Sequence, residues 1–226
     1  GKLMDKKPIL YSFRRCPYAM RARIFIILCE IEVQLREVLL RDIPIEMINI
    51  SPKATVPVLQ LNDGSVLEES LDIMNWAIDY NDKYHLKKSK LNNINIHNEI
   101  INKFDGDFKF HLDRYKYNSR YDINENVKSK ETHRDEALKI IYIIEKLLTN
   151  NNLWLFGNNP SYLDIAILPF IRQYRIADMK WFDEKMPCKN VHAWLMRFLE
   201  WDIFNQIMVK NKPWLNNDTP IYFGLN

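Results

Sequence analysis

The sequence predicts two domains, a small α/β unit at residues 1–80 and an all-helical unit at 91–226. Three observations carry this. In the first stretch, short β-prone runs alternate with helical spacing and end in a hairpin signal. Asn81 to Lys90 is polar and charged and reads as a linker. Beyond it apolar residues recur every three and four positions and strand patterns stop.

Taken in order, Ile9 to Phe13 is a β-prone run that Arg14, Arg15, Cys16 and Pro17 interrupt. Pro17 suits a first helical position, and Ala19, Ala22, Ile26 and Ile27 continue a helix from it. Val33 to Leu39 reads as a second strand, Pro44 to Ile50 as a short helix or turn, and Val58 to Leu61 as a third strand. Asn62, Asp63 and Gly64 form a tight-turn signal before a fourth strand at Ser65 to Leu67. Ser70, a good N-cap residue, opens a helix to Tyr80. The order β-α-β-α-β-β-α predicts a mixed four-stranded sheet with helices on its faces. In the second domain Ile100, Phe104, Phe108, Leu112 and Tyr115 mark one long helix, and Ala137, Ile140, Ile141, Ile144 and Leu147 mark another. Ser161 to Asp164 resembles a capping box, and opens a third helix in which Pro169 is expected to produce a bend. Two further helices are expected at Val191 to Leu199 and Asp202 to Val209, and the bundle is expected to pack against the first domain.

Composition excludes several classes. The 226 residues are 47% hydrophobic and 27% charged, an ordinary globular balance. With 32 Lys and Arg against 29 Asp and Glu, the net charge of +3 is too small to argue for nucleic acid. Lys87, Lys88 and Lys90 read as a solvated linker. No apolar stretch approaches the roughly 18–20 residues that span a bilayer, and the opening GKLMDKKPIL lacks a signal-peptide core. Three cysteines do not suggest a disulfide framework, so a reducing, cytoplasmic compartment is expected. The five histidines show no metal-ligand spacing, and no Gly-rich phosphate loop is present.

The chemistry centres on Cys16, where a strand gives way to a helix. Backbone N–H groups there lack internal partners and the helix dipole favours negative charge, so a thiolate is stabilised. The thiolate is the nucleophile. Arg14 and Arg15 add to this if their side chains point that way. The competing reading is a buried, inert thiol, which suits Cys29 among Ile24, Ile26, Ile27 and Leu28. Ala19 stands where a dithiol oxidoreductase has its second cysteine. Cys29 lies roughly 20 Å along the helix at about 1.5 Å per residue, far beyond the ~7 Å that a disulfide spans. Cys188 is in the helical domain. The resolving thiol is expected to come from outside the chain.

Four segments together resemble the glutathione transferase superfamily: SFRRCPYAMRAR at 12–23, PKATVPVL at 52–59, LEESLDI at 67–73 and SYLDIA at 161–166. The resemblance covers nearly the whole chain and is closest to cysteine-type bacterial and omega-like members. It implies a thioredoxin-like N-terminal domain and an all-α C-terminal domain, with glutathione as cosubstrate. It further implies that Pro57 is a cis-proline turning the Val56 backbone toward glutathione. Ser70 and its N–H would hold the γ-glutamyl carboxylate, Glu69 would face the γ-glutamyl amino group, and Lys53 would meet the glycyl carboxylate. Asp164 is expected to organise the helical domain rather than touch substrate. Phe104, Phe108, Phe110, His111, Tyr115, Tyr174 and Trp181 are candidates for a second pocket, although aromatic residues at helical spacing are usually core.

The expected activity is thiol exchange through a Cys16–glutathione disulfide with a small electrophilic or disulfide substrate, in a soluble homodimer that binds neither nucleic acid nor membrane. The alternative is a non-catalytic adaptor of the same fold, of the stringent-starvation-like kind. A specialised dehalogenase, lyase or isomerase is a third reading, because the second pocket sets the substrate.

Overall fold

The computed structural model describes residues 6–121, 127–149 and 152–225. The chain divides into two compact units, one made of residues 1–86 and 201–226, the other of residues 87–200. The C-terminal residues, expected in the helical domain, therefore belong with the first unit.

The first unit is built on β1 (Ile9–Ser12), α1 (Pro17–Leu28), β2 (Val33–Glu37), α2 (Ile45–Ile50), β3 (Val58–Gln60), β4 (Val66–Leu67) and α3 (Ser70–Tyr80). β1 pairs parallel with β2, with Leu10 opposite Leu35, and antiparallel with β3, with Leu10 opposite Leu59. β3 and β4 form the expected hairpin, Leu59 opposite Leu67, around a turn in which Gly64 takes a positive φ of 88°. The sheet holds five strands rather than four, in the order β4-β3-β1-β2-β5. The fifth, β5 (Ile221–Phe223), returns from the end of the chain and pairs antiparallel with β2, Gln34 opposite Tyr222. Its short run of β-prone residues beside a Gly-containing end is too brief to stand out in sequence. What makes it a strand is the free edge of β2 that it covers.

α1 is buried along almost its whole length, with Ala19, Met20, Ala22, Ile24, Phe25 and Ile26 at 0% exposure. It packs against α3 and against α11 (Asp202–Ile207). This explains a helix apolar on every side. The strand ends deliver Ser12 and the turn after it to the start of α1. The Val56–Pro57 peptide is cis, as the resemblance implied.

The second unit contains most of α4 (Leu86–Asn92), where the sequence suggested a linker. It continues with α5 (Ile94–Lys103), α6 (Lys109–Lys116), α7 (Lys130–Leu147), α8 (Tyr162–Ala177), α9 (Met179–Glu184) and α10 (Lys189–Leu199). The long helix expected through Tyr115 is α5 and α6 joined by one π-helical turn, Phe104–Phe108. Its apolar stripe, Ile100, Phe104, Phe108 and Leu112, is spaced by four, which an α-helix of 3.6 residues per turn would carry slowly round its axis. One wider turn brings the stripe back, and all four side chains are at most 1% exposed. α8 runs through Pro169. Its first turn carries a full capping box between Ser161 and Asp164. Among the described residues no helix is long and apolar enough to cross a membrane. A mixed-sheet N-terminal unit of thioredoxin-like order and an all-helical unit thus account for the fold.

Candidate functional site

Cys16 is the N-cap residue of α1, with extended backbone (φ −70°, ψ 124°) and Pro17 as first helical residue. Its side chain is half-buried. Its N–H donates to the Phe13 carbonyl at 3.0 Å and its carbonyl accepts from the Met20 N–H at 2.9 Å, so the residue is held from both sides. The sulfur thus sits at the start of α1, the end at which the helix dipole favours negative charge.

Val56 comes to this thiol from forty residues away: its carbonyl oxygen lies 3.9 Å from Cys16 Sγ. The pairing of β1 with β3 begins at Val58, which leaves Val56 outside the ladder. Pro57 is buried behind it. The fold therefore brings Cys16 and the Val56–Pro57 turn together.

Ser70 is 4% exposed and is the first residue of α3; the capping position falls on Glu69, whose side chain makes no cap bond. The Ser70 hydroxyl instead accepts from Arg21 Nη1 at 3.3 Å. Lys53 and Glu69, expected to meet two opposite ends of one ligand, meet each other, with Nζ 2.5 Å from Oε1. Both are exposed enough (39% and 68% of the side chain) for the pair to be weak and easily opened.

Three residues escaped the sequence reading. Arg21 and Arg23 are buried at 0% and 2% exposure within α1. Arg21 reaches Ser70, and Arg23 grips the turn before Cys16. Two arginines inside the apolar run Ala19 to Leu28 were the available signal, since a buried charge requires partners. The third is Glu37, whose Oε2 accepts from the Arg14 N–H at 2.9 Å. Burial pushes its carboxyl above the usual range, against the lowering effect of that bond and of Arg23 and Arg14. Tyr11, close to Cys16 in sequence, is 1% exposed, and its hydroxyl accepts from Arg36 Nη1 at 2.6 Å. Arg15 lies over the Phe13 ring at 5.3 Å.

The aromatic residues named for a second pocket pack within the helical unit. Phe104 and Phe108 lie 4.4 Å apart and Tyr115 and Tyr174 5.3 Å apart, and all four are buried. Asp164 is fully buried and accepts from Leu155 N–H, Ser161 N–H and Trp194 Nε1 at 2.8–3.0 Å. It ties the helical unit together. No group of three or more His, Cys, Asp or Glu side chains suited to a metal ion occurs among the described residues.

Residues 10–83 match the family model for the glutathione S-transferase N-terminal domain, and residues 123–197 match the model for its C-terminal domain. Together these cover well over half of the chain. No curated protein gives a significant match. Among solved structures the chain is similar to a glutathione S-transferase from Methylobacillus flagellatus with glutathione bound (19% identity, 88% of this chain and 98% of that one, TM-score 0.74). It is also similar to glutathione transferase Omega 3C from Trametes versicolor (17%, 93% and 87%, 0.72). A tau-class glutathione S-transferase from mango, Mangifera indica, is a third (20%, 90% and 93%, 0.71). At these identities the likeness is one of fold.

Proposed function

Because this chain belongs to the glutathione transferase superfamily, we propose that it is a glutathione-dependent thiol transferase of the cysteine type, with Cys16 as nucleophile. The observation that carries the reading is Cys16 itself, half-exposed at the N-cap of α1 with the Val56 carbonyl 3.9 Å from its sulfur. The surrounding residues fit a γ-linked tripeptide. Val56 stands outside the sheet ladder, where its backbone suits strand-like pairing with a peptide. Ser70 and the first-turn N–H groups of the eleven-residue helix α3 suit a carboxylate. Lys53 and Glu69 offer one charge of each sign to the two remaining ends, once their mutual bond opens.

In this mechanism Cys16 as thiolate attacks the glutathionyl sulfur of a mixed disulfide, forming a Cys16–glutathione disulfide and expelling the substrate as its thiolate. Cys16 is then released by the thiolate of a second glutathione, which leaves as oxidised glutathione. The first turn of α1 stabilises the sulfur anion in both states in which it is free. The substrate is a small disulfide or electrophilic glutathione adduct, and the working form is a cytoplasmic homodimer, which light scattering tests.

Incubation with oxidised glutathione should add a single glutathione mass to Cys16, reversed by reduced glutathione. Cys16→Ser should abolish disulfide exchange; full activity in that variant refutes the mechanism. One observation favours the adaptor reading: Lys53 and Glu69 are bonded to each other. Retention of the folded protein on glutathione-agarose separates the two, because an adaptor without a working site passes through.

A further inference from the structure

We propose that Arg23 is a positioning residue for Cys16, and that residues 201–225 act as a strap which holds Arg23 to that task. The strap would thereby make the reactivity of the thiol depend on the far end of the chain. The functional consequence rests on the reading of Cys16 as the working thiol; the connection itself does not.

The stabilisation of a thiolate by a helix start fades within one turn. Small displacements of Cys16 therefore change its ionisation, and what fixes the preceding turn matters. Arg23 lies seven residues beyond Cys16 along α1, and its guanidinium carries five N–H donors in a rigid fork. Nη1 donates to Ser12 Oγ at 2.8 Å and to the Phe13 carbonyl at 3.3 Å, and Nη2 donates to the Arg14 carbonyl at 2.6 Å. These are three consecutive residues of the turn that leads into Cys16. Two further contacts go elsewhere: Nε to the Ile207 carbonyl at 3.0 Å, and Nη2 to Met208 Sδ at 3.8 Å. Ile207 ends α11, so one buried side chain joins the Cys16 turn to a segment 184 residues away.

A second tie runs in parallel. Glu37 accepts the Arg14 N–H with its carboxylate, and its own backbone carbonyl accepts the Trp214 N–H at 2.7 Å. The Trp214 ring is anchored under Arg36, whose guanidinium carbon is 4.0 Å from the ring centre. A third seam closes the strap. Gly224, at φ 116°, lies so close to the loop between α1 and β2 that an added Cβ would sit 1.9 Å from the Ile31 carbonyl oxygen. Packing alone would be served by an apolar side chain at position 23. A five-donor fork divided between turn and strap instead fixes their mutual register.

The test uses the full chain without glutathione, so that failure of the glutathione reading leaves it interpretable. Two readouts apply: the pH profile of Cys16 alkylation by iodoacetamide, and hydrogen exchange of the amides of residues 12–16. Arg23→Met should slow alkylation at neutral pH about tenfold and move its pH midpoint upward, with Arg23→Lys recovering part of the loss. Trp214→Ala, which loosens the strap without touching the turn, should shift the midpoint in the same direction by less and speed exchange at residues 12–16. An unchanged midpoint in folded Arg23→Met overturns the proposal. If that variant does not fold, Trp214→Ala and Gly224→Ala decide: unaltered exchange at residues 12–16 in both overturns it.

Discussion

Burial, helped by Asp82, pushes the Cys29 thiol up to about 12, and burial helped by Glu145 pushes the Cys188 thiol up to about 11. Neither forms a useful amount of thiolate near neutrality. Iodoacetamide on the native protein should therefore label Cys16 alone, and all three cysteines after denaturation; peptide mass spectrometry reads both. Asp164 accepts from four buried donors, the N–H groups of Leu155 and Ser161, the Ser161 hydroxyl and Trp194 Nε1. Asp164→Ala should cost about 3 kcal/mol or more of stability in chemical denaturation. In the helical unit Lys128 N–H donates to His133 Nε2 at 2.8 Å, so neutral His133 carries its proton on Nδ1 and donates to His111 Nδ1 at 2.9 Å. A proton added to either ring puts two donors face to face. Burial lowers both values, with His111, Arg114 and Lys128 lowering His133 further and Glu136 opposing. Glu136 and Asp107 raise His111, against Arg114 and Lys128. The unfolded chain then binds more protons than the folded one as pH falls below about 6.5, so stability is full above that value and declines beneath it. Denaturation midpoints measured from neutral to mildly acid pH check this, and replacing both histidines by Gln should flatten the slope.

At the scale of elements, α1 and α3 carry the candidate site by their N-termini, and the cis turn at Val56 faces the first of them. Local signals placed these ends well: Pro17 opens α1, and the span Ser70–Tyr80 is the one the sequence predicted. They misplaced Ser70 by one position, because Arg21 rather than the helix's own N–H groups takes its hydroxyl. The π turn in the first long helix was written as a strict spacing of four, but a single continuous helix was the simpler reading. The close approach of Gly224, just after β5, to the loop before β2 makes the sharpest prediction here. Gly224→Ala combines a left-handed φ with overlap on the backbone oxygen of Ile31, in the loop that leads from α1 into β2. It should lower stability by about 1–3 kcal/mol, seen as a fall in the thermal midpoint.

Over the whole molecule the notable feature is a first unit assembled from both ends of the chain. Removing residues 212–225 should bare the β2 edge at Val33–Leu35, lower the thermal midpoint and promote aggregation, which light scattering on heating would register. The order of elements from β1 to α3, the thiol at a helix start and the cap at Ser161 were determined by the sequence alone, since each depends on residue preferences within a turn or two of chain. Only the tertiary structure decided that the tail completes the sheet, that Arg23 links it to Cys16, and that Lys53 answers Glu69. Those pairings join groups that are near in space and remote in sequence, and no periodicity or propensity records which distant donor a buried acceptor will meet.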